Sequence, residues 1–519
     1  QVIVKSMGCV ILAPLLNEVV KKAKGLDQYQ AAITHLTRTC RPNELLDCML
    51  EIIEGIDPGA ISETILALLP HLQSLLRLDE GKAACVGSTL SALQKQLSRL
   101  PVPYTEQQEE ADEYGLCRCS AALTVFTEPF VEEVKRTDGN CAATAEDEEL
   151  KIELLKCMRS LREPLLEAEL KHDRRSPLWL FAVEIMVTLS AIKEPLPELL
   201  FFSSLRENIL MDNNQFKEAR ACLAYLLFVQ LITIDNFPAV FHVFILQCNM
   251  EYISHLLSKK ESHLLKGLAL FTKSLERVQD NSLPVSLLDL KSFYSNLRRV
   301  LTDCPIQHLR ESGLQVFQVF INKLDAEAKH KFFCMLKTSN HAGIESYIIK
   351  NIRNQFELSM KWGNANEWFL GTEFISLMTL VLCLPQGAQT DLLSSMDVME
   401  SLNLLRYVLI RDEELRTNED VWEELCRIKE EYLKMLRVCI SISRAYYSSE
   451  LKALREDQKL KAKARDAARP TKLVKSITVR KEKVSNMSPE VQHQVLQSAL
   501  VTFDLMESLI VRIEEITEE

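Results

Sequence analysis

The run Ser488-Pro489-Glu490-Val491-Gln492-His493-Gln494-Val495-Leu496-Gln497-Ser498-Ala499-Leu500-Val501-Thr502-Phe503-Asp504-Leu505-Met506-Glu507-Ser508-Leu509-Ile510-Val511-Arg512-Ile513-Glu514-Glu515 lies at the end of the chain, and its pattern decides how the rest is read. Ser488 can accept hydrogen bonds from the first orphan backbone N–H groups of a helix, and Pro489 fits the first helical position. Val491, Val495, Leu500, Phe503, Met506, Ile510 and Ile513 recur at helical spacing, which predicts one apolar stripe on a helix of about eight turns. Gln494, Gln497, Ser498, Ser508, Arg512 and Glu515 occupy the other side. Two readings of that polar side stand together. It is a solvated face of a helix docked on its neighbours, or, with Arg512 near its end, it is part of a docking surface.

The same helical spacing runs through all 519 residues, enough for several domains or one long repetitive array. Hydrophobic residues make up 47% and charged residues 26%, the composition of a core-forming protein. Only 14 Gly and 17 Pro are present, too few for the many tight turns of an all-β design. Apolar residues recur mostly at three and four and rarely at two, so the chain reads as all-α. A net charge of −11 argues against bulk electrostatic attraction to nucleic acid or an anionic membrane. No uninterrupted apolar run of eighteen residues and no signal-like start occur, which argues against a membrane span or secretion and for a cytoplasmic location. The first residue is Gln1 and not Met, which fits a truncated version of a longer chain. The 15 Cys residues are scattered through helical patterns and read as reduced, mostly buried thiols. Cys117 and Cys119 are separated by one residue and have no second Cys/His pair at zinc spacing, so neither a metal nor another cofactor is expected.

Breaks at Arg41-Pro42, Asp57-Pro58-Gly59 and Pro101-Val102-Pro103 punctuate the first hundred residues. Glu106–Val134 reads as one long helix with an acidic start, and Asp147–Leu170 as another. Helices are further expected over Pro195–Asn208, Phe237–Cys248 and Met250–Ser258, and a long one from Asp420 to Ala464. About twenty helices joined by short connections, with pairs spaced by about 40 residues, predict an irregular HEAT-like or armadillo-like helical-repeat solenoid. A compact multi-domain helical protein is the structural alternative. The expected organisation is an N-terminal repeat region over 1–300 and a C-terminal repeat region over 301–451. A basic, mobile linker over 452–486 and a closing helix over 487–519 complete it. Within Lys452–Lys483, twelve Lys or Arg face four acids and no aromatic residue. That composition suits a charged helix end and loop, nuclear import or an acidic partner better than nucleic-acid stacking.

No Gly-rich phosphate loop, HExxH motif or Gly-x-Ser-x-Gly elbow is present, and the ten His are dispersed. His341 precedes a helix and reads as a helix-start residue. Nothing here calls for catalysis, and a non-enzymatic binding protein is expected. Two stretches qualify as parts of a binding surface. In Ile344–Met360 the positions Ile344, Ile348, Ile352, Phe356 and Met360 repeat every fourth residue, opposite Lys350, Arg353, Glu357 and Lys361. In Ser401–Arg411, Leu402, Leu405, Val408 and Leu409 look like core, while Asn403, Arg406 and Tyr407 are polar-tipped. Each set also fits ordinary surface or satisfied core polarity, although Arg and Tyr are enriched where interfaces concentrate their energy.

Several runs, taken in order, resemble the glomulin family of HEAT-like helical proteins. They include Leu100-Pro101-Val102-Pro103-Tyr104, Tyr114-Gly115-Leu116-Cys117, Pro129-Phe130-Val131-Glu132-Glu133-Val134, Asp280-Asn281-Ser282-Leu283, Ile321-Asn322-Lys323-Leu324-Asp325, Thr338-Ser339-Asn340-His341, Ser401-Leu402-Asn403-Leu404-Leu405-Arg406-Tyr407 and Thr502-Phe503-Asp504-Leu505. The resemblance implies binding to the RING subunit of cullin-RING ubiquitin ligases and its attached cullin. It implies masking of the docking surface for the ubiquitin-conjugating enzyme, and so inhibition of ubiquitin transfer. An immunophilin or a receptor kinase is a further partner it suggests. The family's binding surface lies in its C-terminal repeats, which carries over to Arg353, where a Lys is expected in the family, and to Arg512. Lys350, Asn403, Arg406, Tyr407 and Ser508 are the neighbouring candidates. A general HEAT-type scaffold or transport adaptor is the alternative function.

Overall fold

The computed structural model of the chain describes residues 2–21, 26–77, 81–137, 144–170, 175–192, 200, 214–231, 242–257, 260–287, 290–337, 342–361, 366–384, 392, 397–411, 415–416, 418–463, 478–479, 482–483 and 488–518. It is all-α, an irregular HEAT-like helical repeat of the solenoid class. In chain order the α-helices are α1 (Val2–Val20), α2 (Leu26–Thr39), α3 (Pro42–Glu54), α4 (Ile61–Leu76), α5 (Lys82–Leu97), α6 (Glu106–Ala111), α7 (Leu116–Thr137), α8 (Ala145–Leu155), α9 (Arg162–Glu167) and α10 (Pro177–Ala191). There follow α11 (Asn214–Tyr225), α12 (His242–Leu256), α13 (Glu261–Glu276), α14 (Leu290–Asp303), α15 (Gln307–Lys323), α16 (Ala326–Lys337), α17 (Ala342–Ser359), α18 (Glu367–Leu370), α19 (Thr372–Val381), α20 (Asp397–Ile410), α21 (Glu419–Lys463) and α22 (Pro489–Glu518). Extended pairing among the described residues is confined to Thr478–Val479 with Glu482–Lys483 and one isolated bridge between Leu283 and Leu324.

Local chemistry explains most boundaries and corrects several expectations. Pro42 and Pro177 stand at the first turns of α3 and α10, where the missing N–H costs nothing, and Ser176 Oγ caps Trp179 N at 3.2 Å. The single helix expected over Glu106–Val134 is two helices. Asp112 and Gly115 both hold positive φ, 40° and 74°, and Asp112 turns back to accept from the N–H groups of Cys117 and Arg118 at 2.9 and 3.0 Å. The Asp112 carboxylate thereby caps α7, and an added Cβ on Gly115 would lie 2.6 Å from Ser62 Cβ. Asp147–Leu170 likewise divides into α8, a 3₁₀ turn over Lys156–Leu161 and α9. Conversely, Met250 does not begin a new helix. Asn249 stays inside α12, fully buried, with its Nδ2 donating to Ser274 Oγ at 3.0 Å. Most of Pro195–Asn208, His341 and residues 464–477 of the basic stretch lie outside the described residues, while the first part of that stretch continues α21 to Lys463.

The chain divides into two compact units, Gln1–Val278 with Lys291–Phe320, and Gln279–Leu290 with Ile321–Glu519. In unit 1, α7 packs against α4 and α10. Pro129 lies inside α7 and has no N–H to offer the carbonyl of Val125. Gln73 of α4 supplies the missing donor, its Nε2 reaching Val125 O at 2.9 Å and Phe126 O at 3.1 Å. Lys266 of α13 performs a similar service in the interior. Its buried ammonium donates to the carbonyls of Leu166 and Ala168 at 3.0 and 2.6 Å, closing the C-terminal end of α9, where a cation is favoured. Burial lowers its pKa to about 8 against the pull of nearby acids.

Unit 2 is built as two layers. The contacts link α16, α19 and α21 on one side and α17, α20 and α22 on the other, with Phe356 of α17 stacked on Phe374 of α19 at 5.2 Å between ring centroids. The runs Asp280–Leu283 and Ile321–Asp325, far apart in sequence, are stapled together. Asn281 N donates to Asn322 O at 3.0 Å, Ser282 N to Lys323 O at 2.9 Å and Asp325 N to Leu283 O at 2.9 Å. Buried Lys329 donates to Asn281 Oδ1, and Asp325 Oδ1 caps α16 at Ala328 N. These motifs thus hold the start of unit 2 together.

The closing helix α22 has the expected start, with Ser488 Oγ accepting from Val491 N at 3.4 Å. Its core register differs from the expected stripe. The buried positions are Gln492, Leu496, Ala499, Phe503, Met506, Ile510 and Ile513, whereas Val491 is exposed and Val495 and Leu500 are half-buried. Spacings alternate four and three, the pattern of a helix locked against long neighbours. The neighbours are α20 and the antiparallel α21, whose Arg437 and Arg444 meet Glu514, Asp504 and Glu507 at 2.6–2.8 Å. Being exposed, those ion pairs each contribute at most about 1 kcal/mol, and they serve chiefly to set register. The edge-on contact of Tyr447 with Phe503, 5.5 Å between centroids, belongs to the buried seam. By length and composition α22 is also long and apolar enough to cross a membrane. Here α20 and α21 cover its seam, while Val491, Val501, Leu505 and Val511 remain exposed.

Candidate functional site

Three consecutive helices of one layer of unit 2 carry the surface of interest. α17 buries Ile344, Ile348, Ile352 and Phe356 and exposes Lys350, Arg353, Glu357 and Lys361, the division its four-residue repeat predicts. Met360 is only half-buried. α20 buries Leu402, Leu405, Val408 and Leu409 and exposes Asn403 and Ile410. Packing of α17 on α20 brings Arg353 and Tyr407 together. The Arg353 guanidinium carbon lies 4.3 Å from the centre of the Tyr407 ring, and that of Arg411 lies 5.8 Å from it. The inner edge of Tyr407 meets the buried Phe356 ring at 6.3 Å between centroids. Tyr407 is therefore anchored in the core at one side and presents a π face to a surface cation at the other.

Lys350 stands one turn before Arg353, and Asn403 one turn before Tyr407. Ser508 and Arg512 are exposed one turn apart on α22, which packs against α20. Lys350, Asn403, Ser508 and Arg512 make no ion pair or side-chain hydrogen bond with the described residues, so their polar groups face solvent. Arg406 differs from the rest. It is half-buried, and its Nε is sealed from solvent without a hydrogen-bond partner among the described residues. Of the seven expected residues, Arg353 and Tyr407 are brought together from different helices. The other five share their helices or the adjoining one.

Four further residues belong to these faces and were not anticipated. Arg411 joins the Tyr407 ring, and Ile410 is exposed beside it. Val501 and Leu505, each 53% exposed, precede Ser508 and Arg512 at spacings of four, three and four, forming one solvent-facing stripe on α22. Their signal in the sequence is that two apolar residues fall on the side otherwise set by Gln494, Gln497 and Arg512. Such a mixture, with apolar anchors beside cations and small polar groups, is the composition of a protein-docking surface. No group of three or more His, Cys, Asp or Glu suited to a metal ion is found among the described residues. Cys117 and Cys119 are buried thiols in α7, pushed up to about 12 by desolvation, with Asp112 adding to the shift.

Comparison with known proteins bears on the whole chain. Residues 202–499 match a family described as "Uncharacterised protein family, YAP/Alf4/glomulin". The full chain aligns over 540 positions with glomulin of Homo sapiens at 43% identity and with glomulin of Mus musculus at 41%, in each case covering 89% of the relative. The chain belongs to the YAP/Alf4/glomulin family.

Proposed function

We propose that this protein binds the RING subunit of cullin-RING ubiquitin ligases and covers the surface on which the ubiquitin-conjugating enzyme docks. It acts by occupancy and not by turnover. The observation that supports the reading best is the alignment of the full chain with glomulins, taken with the exposed faces of α17, α20 and α22 in unit 2. In this reading Val501 and Leu505 supply apolar contact, Arg353, held by the Tyr407 ring, and Arg512 meet acidic or carbonyl groups of the RING, and Asn403 and Ser508 fix orientation. Arg353 presents a planar fork where a relative with Lys would present a point charge, so the hydrogen-bond pairing at that position is the chain's own.

The test is ubiquitin transfer by a reconstituted cullin-RING ligase with excess of this protein. Transfer should fall as the protein is added. Arg353→Glu combined with Arg512→Glu should weaken RING binding by roughly tenfold or more while thermal unfolding barely moves. Unchanged transfer would sink the inhibitory role, and normal binding by the double variant would sink the assignment of the site. A pull-down that enriches transport or kinase complexes without any cullin would favour the scaffold alternative.

A further inference from the structure

A second surface lies in unit 1, in the segment that joins α5 to α7. Pro101, Val102 and Pro103 form an extended strap, and α6 with its left-handed exit at Asp112 folds back beside it. Between strap and helix is a cavity of about 180 Å³ lined by Pro101, Pro103, Gln108, Ala111, Tyr114 and Leu116. The lining is predominantly apolar. An apolar cavity of about 150 Å³ is enough for a benzene ring, so this one has room for one aromatic side chain. Tyr114, more than half exposed, stands at its edge. The frame around it is well determined by local bonds. Thr105 and Gln108 form a reciprocal cap, Tyr104 O accepts from Glu169 N at 3.1 Å, and Asp112 is held by Arg118 at 3.1 Å.

The segment that frames the cavity is acidic, although Arg99 and Arg118 flank it and Arg118 pairs with Asp112. From Leu100 to Cys117 the chain carries Glu106, Glu109, Glu110, Asp112 and Glu113 and no Lys or Arg. Glu109 is buried, but Glu106, Glu110 and Glu113 are exposed and make no ion pair among the described residues. Glu113 also lines the cavity. A cavity shaped for an apolar ring and set in an anionic field selects a cationic segment with an aromatic residue in its midst. We infer that this cleft is a docking site for a basic linear segment of a partner protein, which inserts one aromatic side chain between Pro103 and Tyr114. The site is separate from the RING-binding reading, because it uses residues of unit 1 only.

The test uses the full chain and a fluorescein-labelled peptide, Lys-Arg-Lys-Phe-Lys-Arg-Lys, read by fluorescence anisotropy at physiological salt. A peptide with Ser in place of Phe controls for plain attraction to a protein of net charge −11. The Phe peptide should bind about tenfold tighter than the Ser peptide, the usual scale for one buried anchor. Ala111→Trp, at an exposed position that fills the cavity, should remove that preference and leave circular-dichroism melting unchanged. Glu113→Lys should weaken both peptides together. Equal binding of the two peptides, absence of binding, or a preference that survives Ala111→Trp in a normally melting protein would each overturn the inference.

Discussion

Replacing Tyr407 by Leu separates what the ring does for the fold from what it does for Arg353. The Arg353 guanidinium lies 4.3 Å from the ring centre at an exposed position, where a cation–π contact contributes about 0.5–1 kcal/mol. The edge contact with Phe356 adds a term of about 0.5 kcal/mol beyond area, while Leu retains most of the buried surface. Tyr407→Leu should thus lower unfolding stability by about 1 kcal/mol in urea titration, within reach of a stable variant. Its effect on RING binding should arise separately, because an unpinned Arg353 must be ordered on association. Losing about 0.5–1 kcal/mol of that ordering weakens affinity by about two- to fivefold. Calorimetric titration of a purified RING subunit against Tyr407→Leu, Arg353→Ala and the double variant measures this. Arg353→Ala alone should cost more, and Tyr407→Leu added to it should cost almost nothing further. Strictly additive losses, or a Tyr407→Leu protein that binds like the parent, would refute the positioning role of the ring.

Two other perturbations bear on the fold. Gly115→Ala combines a left-handed φ with a Cβ placed 2.6 Å from Ser62 Cβ, and should destabilise unit 1 by about 2–3 kcal/mol in chemical denaturation, with most of the loss retained when Ser62 is reduced to Gly. Lys266 has a folded pKa of about 8, below that of an unfolded lysine, so between these values the unfolded chain binds more protons and stability must rise with pH. The parent should therefore gain roughly 2–3 kcal/mol relative to Lys266→Met between pH 8 and pH 10.5, and a flat difference across that window would refute the lowered pKa.

Much of the fold was legible because helices announce themselves by period. The α17 stripe of Ile344, Ile348, Ile352 and Phe356 is buried as read, and so are Leu402, Leu405, Val408 and Leu409 of α20. The first half of α22 was not legible in the same way. Val491, Val495, Leu496, Ala499, Leu500 and Val501 spread apolar residues around more than half of the helix, so several stripes are compatible with them. The choice among them is made by α20 and α21, whose seams demand a three-and-four alternation. The α6–α7 break was missed for a different reason. Asp112 is not a strong breaker by type, and it leaves the helix because its carboxylate has two N–H groups of the next helix to accept from. At the candidate site, exposure of Arg353 and Arg512 could be read from periodicity, but the Arg353–Tyr407 stack joins positions on different helices and depends on how α17 and α20 pack. The Gln73–Val125 bond has the same character. Pro129 advertises an orphan carbonyl in α7, and nothing in the sequence says which distant side chain answers it.

The seam of α22 has a consequence for the order in which the protein is made. A ribosome releases Ile344 of α17 about 170 residues before Ile513 of α22, an interval of roughly 10–30 s at ordinary synthesis rates. In its last part, once α20 and α21 have been made, the faces that Leu496, Phe503, Met506 and Ile510 will cover have no partner. The candidate surface on α17 and α20 is thus translated before the helix that completes its layer. Nascent chains caught in that interval expose a long apolar groove, and it is these, more than the finished protein, that have need of a chaperone.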